Sequence, residues 1–538
     1  MKAWICVFLG LTMVGLNPVS GESKRAPILD DPFLWLEEIE GDRALAWVHD
    51  RNRECFDELE SDARYATFLE QAEALLNAKD RIPYGSVRGR HVYNFWRDAG
   101  HVRGILRRTP LASYRLAKPE WETVLDIDAL AKSEDENWVY KGTTWLAPGY
   151  GRCLVKLSRG GTDASVYREF DAEAKRFVDG GFMLPEAKSG VAWLDRDTLL
   201  VGTDWGDGSL TASGYPRVAK RWKRGTALAK AGTVFEGRKE DIGIWPRVLD
   251  SGEATLPMVD QSLTFFTGAY HLIGDDDQLQ RLPLPESVDV AGFYAGRILF
   301  TLREAWEIAG WTYSQGALLG IDAAAFRATG ELPRIETVYT PDERTSIEGV
   351  AVSRSGLYVT LLQNVKGRLL RFSVDADSGK WSAEPLPLPP NGTVSLSAAN
   401  PHSETVLVNY EDHITPDRLS EYDAGANALT LLKSLPARFR ADDLQVSQHM
   451  AGSADGELVP YFVIHRKGLK PDGSTPTILY GYGGFEISLK PGYSATIGKL
   501  WLERGGAYAV ANIRGGGEFG PRWHKAALKT NRQRAYDD

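Results

Sequence analysis

From about Gly85 to about Leu435 the chain is a succession of short apolar runs separated by turn residues, among them "GVAWLDRDTLLVGTDW", "RILFTLRE", "GLYVTLLQN", "RLLRFSV" and "ETVLVNYED". Runs of this length, rich in β-branched and aromatic residues and cut by Gly, Asp and Asn, are strands joined by tight turns. Long amphipathic helical patterns are scarce there. Roughly 350 residues of this texture exceed one sandwich or small barrel and divide into about seven or eight units of ~40–50 residues, the size of a propeller blade. No WD or Kelch signature marks the units, so the repeat is read from length and texture. The tryptophans spread through the region are expected to pack in blade cores rather than build a binding cage.

The flanks differ from this middle. Between Ala44 and Leu59 the apolar Leu45, Val48, Cys55, Phe56 and Leu59 recur at helical spacing. Tyr65, Phe68, Leu69, Ala72, Leu75 and Leu76 repeat the pattern, and "KDRIPYG" (Lys79–Gly85) ends it with proline and glycine. Beyond "SLPARFRADDL" (Ser434–Leu444), "VPYFVIHRK", "TPTILYGYGG" and "AYAVANIR" read as strands with helix-like "WLERGG" between the last two. Strand and helix alternation marks an α/β sheet.

The chain opens on Lys2, an apolar run from Ala3 to Leu16 and then Pro18-Val19-Ser20-Gly21. That is the layout of an export signal, with cleavage expected near Gly21. The run is short for a membrane span, which needs ~20 apolar residues. A periplasmic or secreted product, with no membrane attachment after cleavage, is expected. Removing the leader leaves Cys55 and Cys153, and two cysteines make no disulfide framework. Cys55 lies on the apolar stripe of its helix and is expected to be a buried free thiol. The formal net charge of −9 and the absence of a long basic run disfavour a nucleic-acid partner.

Two glycine loops follow strands near the end. "IRGGGEFG" contains Gly515-x-Gly517-x-x-Gly520, the spacing of a dinucleotide fingerprint, with Asp537 and Asp538 where a ribose-binding acid would fall. Arg514 and Glu518 put charge into that turn, however, and a lone match to the pattern is weak. The second loop, "YGYGGFEISL" (Tyr480–Leu489), also leaves an apolar strand. Two successive strand–loop units suggest strand ends opening onto one ligand-binding face. Glycine lets the backbone approach a substrate carbonyl, and a loop tyrosine can donate to developing negative charge.

"ILYGYGGFEISLKPGYS" followed by "ERGGAYAVANIRGGGEFGPRWHKAALKTNRQRAYDD" resembles the prolyl oligopeptidase family of serine peptidases. "DDPFLWLEEIEGDRALAWV" and "YNFWRDAGHVRGILRRT" (Tyr93–Thr109) are similar to the opening of that family's members. The resemblance implies a multidomain fold: a seven-bladed β-propeller inserted in an α/β-hydrolase domain. The domains expected are a signal peptide at 1–21, a helical segment of the hydrolase domain at 22–85, a propeller at 86–435 and the first part of the hydrolase domain at 436–538. It implies that Tyr482 donates to the oxyanion and that Phe485 lines the substrate pocket. The Arg514–Gly520 loop then becomes a tight strand-to-helix connection that binds no cofactor.

The family's nucleophile stands in a Gly-Gly-Ser-x-Gly-Gly turn, further along than the point matching "AYDD", where this sequence ends; no Gly-x-Ser-x-Gly occurs in it. Only the N-terminal helices and first strands of the hydrolase domain are therefore expected, without the Ser, Asp and His of the triad, and the chain as written is expected to be inactive. His524, in "PRWHKAAL", is expected to be structural. By resemblance the reaction is hydrolysis of short, proline-containing peptides through an acyl-enzyme, in a monomer with no cofactor and no metal. A non-enzymatic propeller binding protein is the alternative, and a dinucleotide oxidoreductase stands third. "DADSG" (Asp375–Gly379) reads as a hairpin turn and "GDDDQ" (Gly274–Gln278) as an acidic surface turn.

Overall fold

The computed structural model describes residues 31–375 and 378–538. The expected leader at 1–21, with Cys6, lies outside the described residues. Packing divides the chain after Gln71 into two compact units.

The first unit holds a short turn of helix at Leu34–Glu37 and the long helix Asp42–Ser61. Trp35 meets Trp47 edge to face, 6.4 Å between ring centres, and the Arg43 guanidinium lies 4.0 Å above Trp35. The stripe Leu45, Val48, Phe56 and Leu59 is present, but each member stays exposed. Cys55 is exposed as well, which corrects the buried thiol expected from its position. Helical spacing shows that a face is apolar and says nothing of what covers it. The next helix, Tyr65–Leu76, crosses the boundary at Gln71.

In the second unit, seven successive antiparallel sheets run from Ser86 to Ser434 among the described residues. Six have four strands paired in chain order, or with one hairpin inserted, and the second carries a fifth. Each sheet shares an apolar layer with the next. Tyr93 and Leu106 of the first pack with Trp138 and Cys153 of the second, and Leu154 and Tyr167 with Trp193 and Leu199 of the third. The same holds onward to Tyr358 and Leu369 against Val394 and Val406. Val87 and Val92 of the first sheet then pack with Leu407 and Leu419 of the seventh, so the series closes on itself. This explains strands with no alternation: Thr198–Gly202 (TLLVG) is buried on both faces because sheets lie on both sides. Trp138, Trp193 and Trp222 are buried in these layers, whereas Trp311, on the hairpin Trp306–Ile308/Trp311–Tyr313, stands exposed. "GDDDQ" closes a hairpin through Gly274 N–H to the Gln278 carbonyl, and Asp277 pairs with Arg221 at 2.6 Å. "DADSG" also joins two paired strands, with residues 376 and 377 outside the description.

The chain then builds a mixed sheet in the order Leu444–Gly452, Leu458–Arg466, Ala507–Ala511, Thr477–Gly481. The first two pairings are antiparallel, and the last is parallel, Thr477 opposite Ala507 and Gly481 opposite Ala511. A parallel pair requires a crossover, supplied here by the helix Ala495–Leu500 and the turn Leu502–Arg504. Thr477–Gly481 is the edge strand, and Leu479 and Tyr480 on it are exposed.

Candidate functional site

Parallel pairing places both strand ends at the same edge of the sheet. Thr477–Gly481 runs into the loop Tyr482–Leu489, and Ala507–Ala511 runs beside it into Asn512–Gly520. The two glycine loops recognised in the sequence are therefore neighbours in space, at strand ends where ligands bind in open α/β sheets.

The loops meet backbone to backbone. A Cβ on residue 515 would overlap the Gly483 carbonyl, and one on residue 517 would overlap the Glu486 carbonyl. Gly515 also has φ +97°, a conformation open to glycine. The third glycine of the triplet, Gly516, faces the Glu518 carboxyl. The glycines thus admit a second loop, and no room for a pyrophosphate is left between them. Asp538, the candidate ribose acid, has a fully buried side chain bonded to Arg514 at 2.5 Å. Arg514 is itself buried and bonds Asp455 at 2.6 Å, tying the loop to the turn after Leu444–Gly452.

Tyr482 and Phe485 lie on the exposed side of the first loop, 40% and 66% accessible. Phe485 and Glu486 are consecutive non-glycine residues in the left-handed region, φ +52° and +58°. Such residues cost about 1–3 kcal/mol each and persist where surroundings hold them. The holding contacts are explicit. Arg532 bonds the Gly483 carbonyl, and Arg303 bonds the Glu486 carboxylate. The Leu489 N–H donates to Glu518 at 2.9 Å, and Asn512 donates to the Leu489 carbonyl at 2.6 Å. His524 is buried, its Nδ1 2.8 Å from the Gly515 carbonyl oxygen and 3.0 Å from the Glu486 nitrogen, so it packs between the two loops.

A cavity of about 970 Å³ opens beside the loops. Asp289, Arg303, Ser346 and Glu348 of the sheet array line one side, and Glu486, Ser488, Gly517 and Arg522 the other. Neither Tyr482 nor Phe485 belongs to its wall. Glu518, in the second loop, is buried, and burial pushes its carboxyl up to about 7. Sequence reasoning alone does not mark Glu518, Asn512 and Arg532 as functional residues. A carboxylate set directly between the glycines and Phe519 is the sequence signal for the first of them. Among the described residues, no group of three or more His, Cys, Asp or Glu side chains could hold a metal ion. No helix among them is long and apolar enough to cross a membrane.

Residues 22–252 match the family model "Prolyl oligopeptidase, N-terminal beta-propeller domain". The chain is 42% identical to "Uncharacterized peptidase y4nA" of Sinorhizobium fredii over 98% of its own length and 73% of that protein's. It is 26% identical to the prolyl endopeptidase of Elizabethkingia miricola, over 95% of this chain and 69% of the relative. Among solved structures, a post-proline cleaving enzyme from Rickettsia typhi superposes with a TM-score of 0.83 at 28% identity, covering 94% of this chain and 74% of that one. The chain belongs to the prolyl oligopeptidase family. Its fold is that family's, with a propeller.

Proposed function

We propose that this chain is part of a serine-type oligopeptidase that cleaves short, proline-containing peptides through an acyl-enzyme. One observation carries the reading: the parallel strands Thr477–Gly481 and Ala507–Ala511 end side by side in a braced loop on which Tyr482 is exposed. A phenol held there can donate to the oxygen that becomes negative when a nucleophile attacks a carbonyl. Phe485, beside it, offers an apolar face to the substrate. The relatives with peptidase and prolyl endopeptidase names support the reaction class. We read the seven sheets as the seven blades of the propeller, spanning residues 86–435, with 22–85 and 436–538 belonging to the hydrolase domain.

These 538 residues contain no Gly-x-Ser-x-Gly turn, so the nucleophile in this reading comes from sequence outside them. Tyr482 stabilises charge only once that nucleophile has attacked, and without a base no proton moves. We further propose export as a monomer to the periplasm or medium, with cleavage near Gly21. Hydrolysis of a blocked X-Pro chromogenic peptide, with and without a serine-reactive inhibitor, tests the activity. Uninhibited turnover, or none in the nucleophile-bearing protein, would refute it.

A further inference from the structure

Leu489 ends the loop that carries Tyr482, and both polar atoms of its backbone are held by buried side chains. Its N–H donates to Oε1 of Glu518 at 2.9 Å, and its carbonyl accepts from Nδ2 of Asn512 at 2.6 Å. Nδ2 of Asn512 also lies 3.3 Å from Oε1 of Glu518, so the two side chains grip one residue together. Glu518 is 1% exposed and Asn512 fully buried. Oε2 of Glu518 and Oδ1 of Asn512 have no hydrogen-bond partner. A buried carboxylate with one oxygen orphaned is a costly group to keep unless it does something the fold needs.

We propose that Glu518 and Asn512 are positioning residues, clamping the backbone of Leu489 and thereby fixing the loop that presents Tyr482 and Phe485. The inference rests on the reading of that loop as substrate-facing. Elsewhere the loop has few backbone bonds of its own, Ile487 N–H to the Gly484 carbonyl at 3.0 Å and Glu486 N–H to that of Gly515 at 3.2 Å. The clamp is sensitive to protons. Burial holds the Glu518 carboxyl up to about 7, opposed by the Leu489 N–H and Asn512, and Glu348 adds to the rise. Other charged and titratable groups on the surrounding elements include Lys490, paired with Glu348 at 3.0 Å, the Arg303–Glu486 pair, Arg344 over the Phe519 ring, Arg514, His524 and Arg532. Because the packed loop prefers protonated Glu518, ionisation favours the open loop. Closure is strongest below the ordinary glutamate range and weakens as pH rises toward 7, then levels off.

Hydrogen exchange of the 482–489 amides, read by mass spectrometry between pH 5 and 8 and divided by the intrinsic rates, tests this. Wild-type protection should fall at least about tenfold from pH 5 to 7 and change little above. Glu518→Gln keeps an acceptor for the Leu489 N–H and should stay protected throughout, while Glu518→Ala and Asn512→Ala should be unprotected even at pH 5. Alanine variants as well protected as the wild type, or a Glu518→Gln protein as unprotected as Glu518→Ala, would overturn the proposal. Should the alanine variants not fold, Glu518→Gln and Asn512→Asp decide: the first should keep the wild-type protection at pH 5, and the second, which has no amide to donate to the Leu489 carbonyl, should lose it. Exchange needs no turnover, so failure of Tyr482 as an oxyanion donor would leave this result standing.

Discussion

The Gly483 carbonyl occupies the space a Cβ on residue 515 would need. The pattern that mimics a dinucleotide fingerprint is thus the imprint of one loop lying against another. Gly517 makes the same close approach to the Glu486 carbonyl without a positive φ, so a substitution there tests packing alone. Gly517→Ala should force the loops apart and destabilise the protein by about 2 kcal/mol, within the range for overpacking. The check is a lowered thermal midpoint together with faster exchange at 482–489.

Arg514 joins Asp455, exposed, to Asp538, whose side chain is fully buried. Removing the arginine side chain leaves the buried carboxylate without a countercharge, held only by the Ser453 hydroxyl and the residue 514 N–H, a loss expected near the lower end of the ~3–5 kcal/mol for a broken buried pair. Arg514→Ala should unfold at much lower denaturant, whereas Arg514→Ala combined with Asp538→Asn should recover part of the loss. Equal stability of the single and double variants would show that the pair is not the reason.

Cys55 is exposed and Cys153 fully buried, its thiol pushed up by burial and by the nearby Glu169 and Asp171. A thiolate-selective reagent under native conditions should modify Cys55 and leave Cys153 untouched until unfolding. Peptide mapping after brief labelling reads this directly.

His413 is 7% exposed, its Nε2 has no partner, and burial lowers its imidazole to about 4. The unfolded chain takes up that proton near the ordinary histidine value, the folded one only near 4. Its contribution is therefore fully present above about pH 6.5 and is lost as pH falls toward 4, by at most about 3 kcal/mol. His413→Gln should flatten the acid limb of the stability profile over that window. An unchanged slope would mean that other groups carry it.

Local patterns were legible where one residue's neighbours in sequence decide its state. The helices Asp42–Ser61 and Tyr65–Leu76 follow from apolar spacing, and the strands Leu458–Arg466 and Ala507–Ala511 from continuous apolar runs. Leu444–Gly452 (LQVSQHMAG) is not legible in the sequence because an outer strand of polar residues carries no apolar run. The exposure of Cys55 is not legible in its helical spacing, because burial depends on partners far along the chain. The grip of Glu518 and Asn512 on Leu489 was invisible for a related reason: parallel pairing of two strands joined by a crossover brings them together. Tyr482 and Phe485 stand out only through resemblance, since nothing in the local pattern distinguishes them from residues packed at a turn.

The most direct measurement of the proposed function is kcat and KM of Tyr482→Phe on a blocked X-Pro chromogenic peptide, in the protein that carries its nucleophile. Loss of one oxyanion donor should lower kcat by about tenfold to a thousandfold and change KM less, because that bond strengthens mainly in the transition state. Phe485→Ala, assayed beside it, should instead raise KM through lost contact with the substrate. A Tyr482→Phe enzyme with unchanged kcat, or inhibitor-sensitive turnover by these 538 residues alone, would contradict the account.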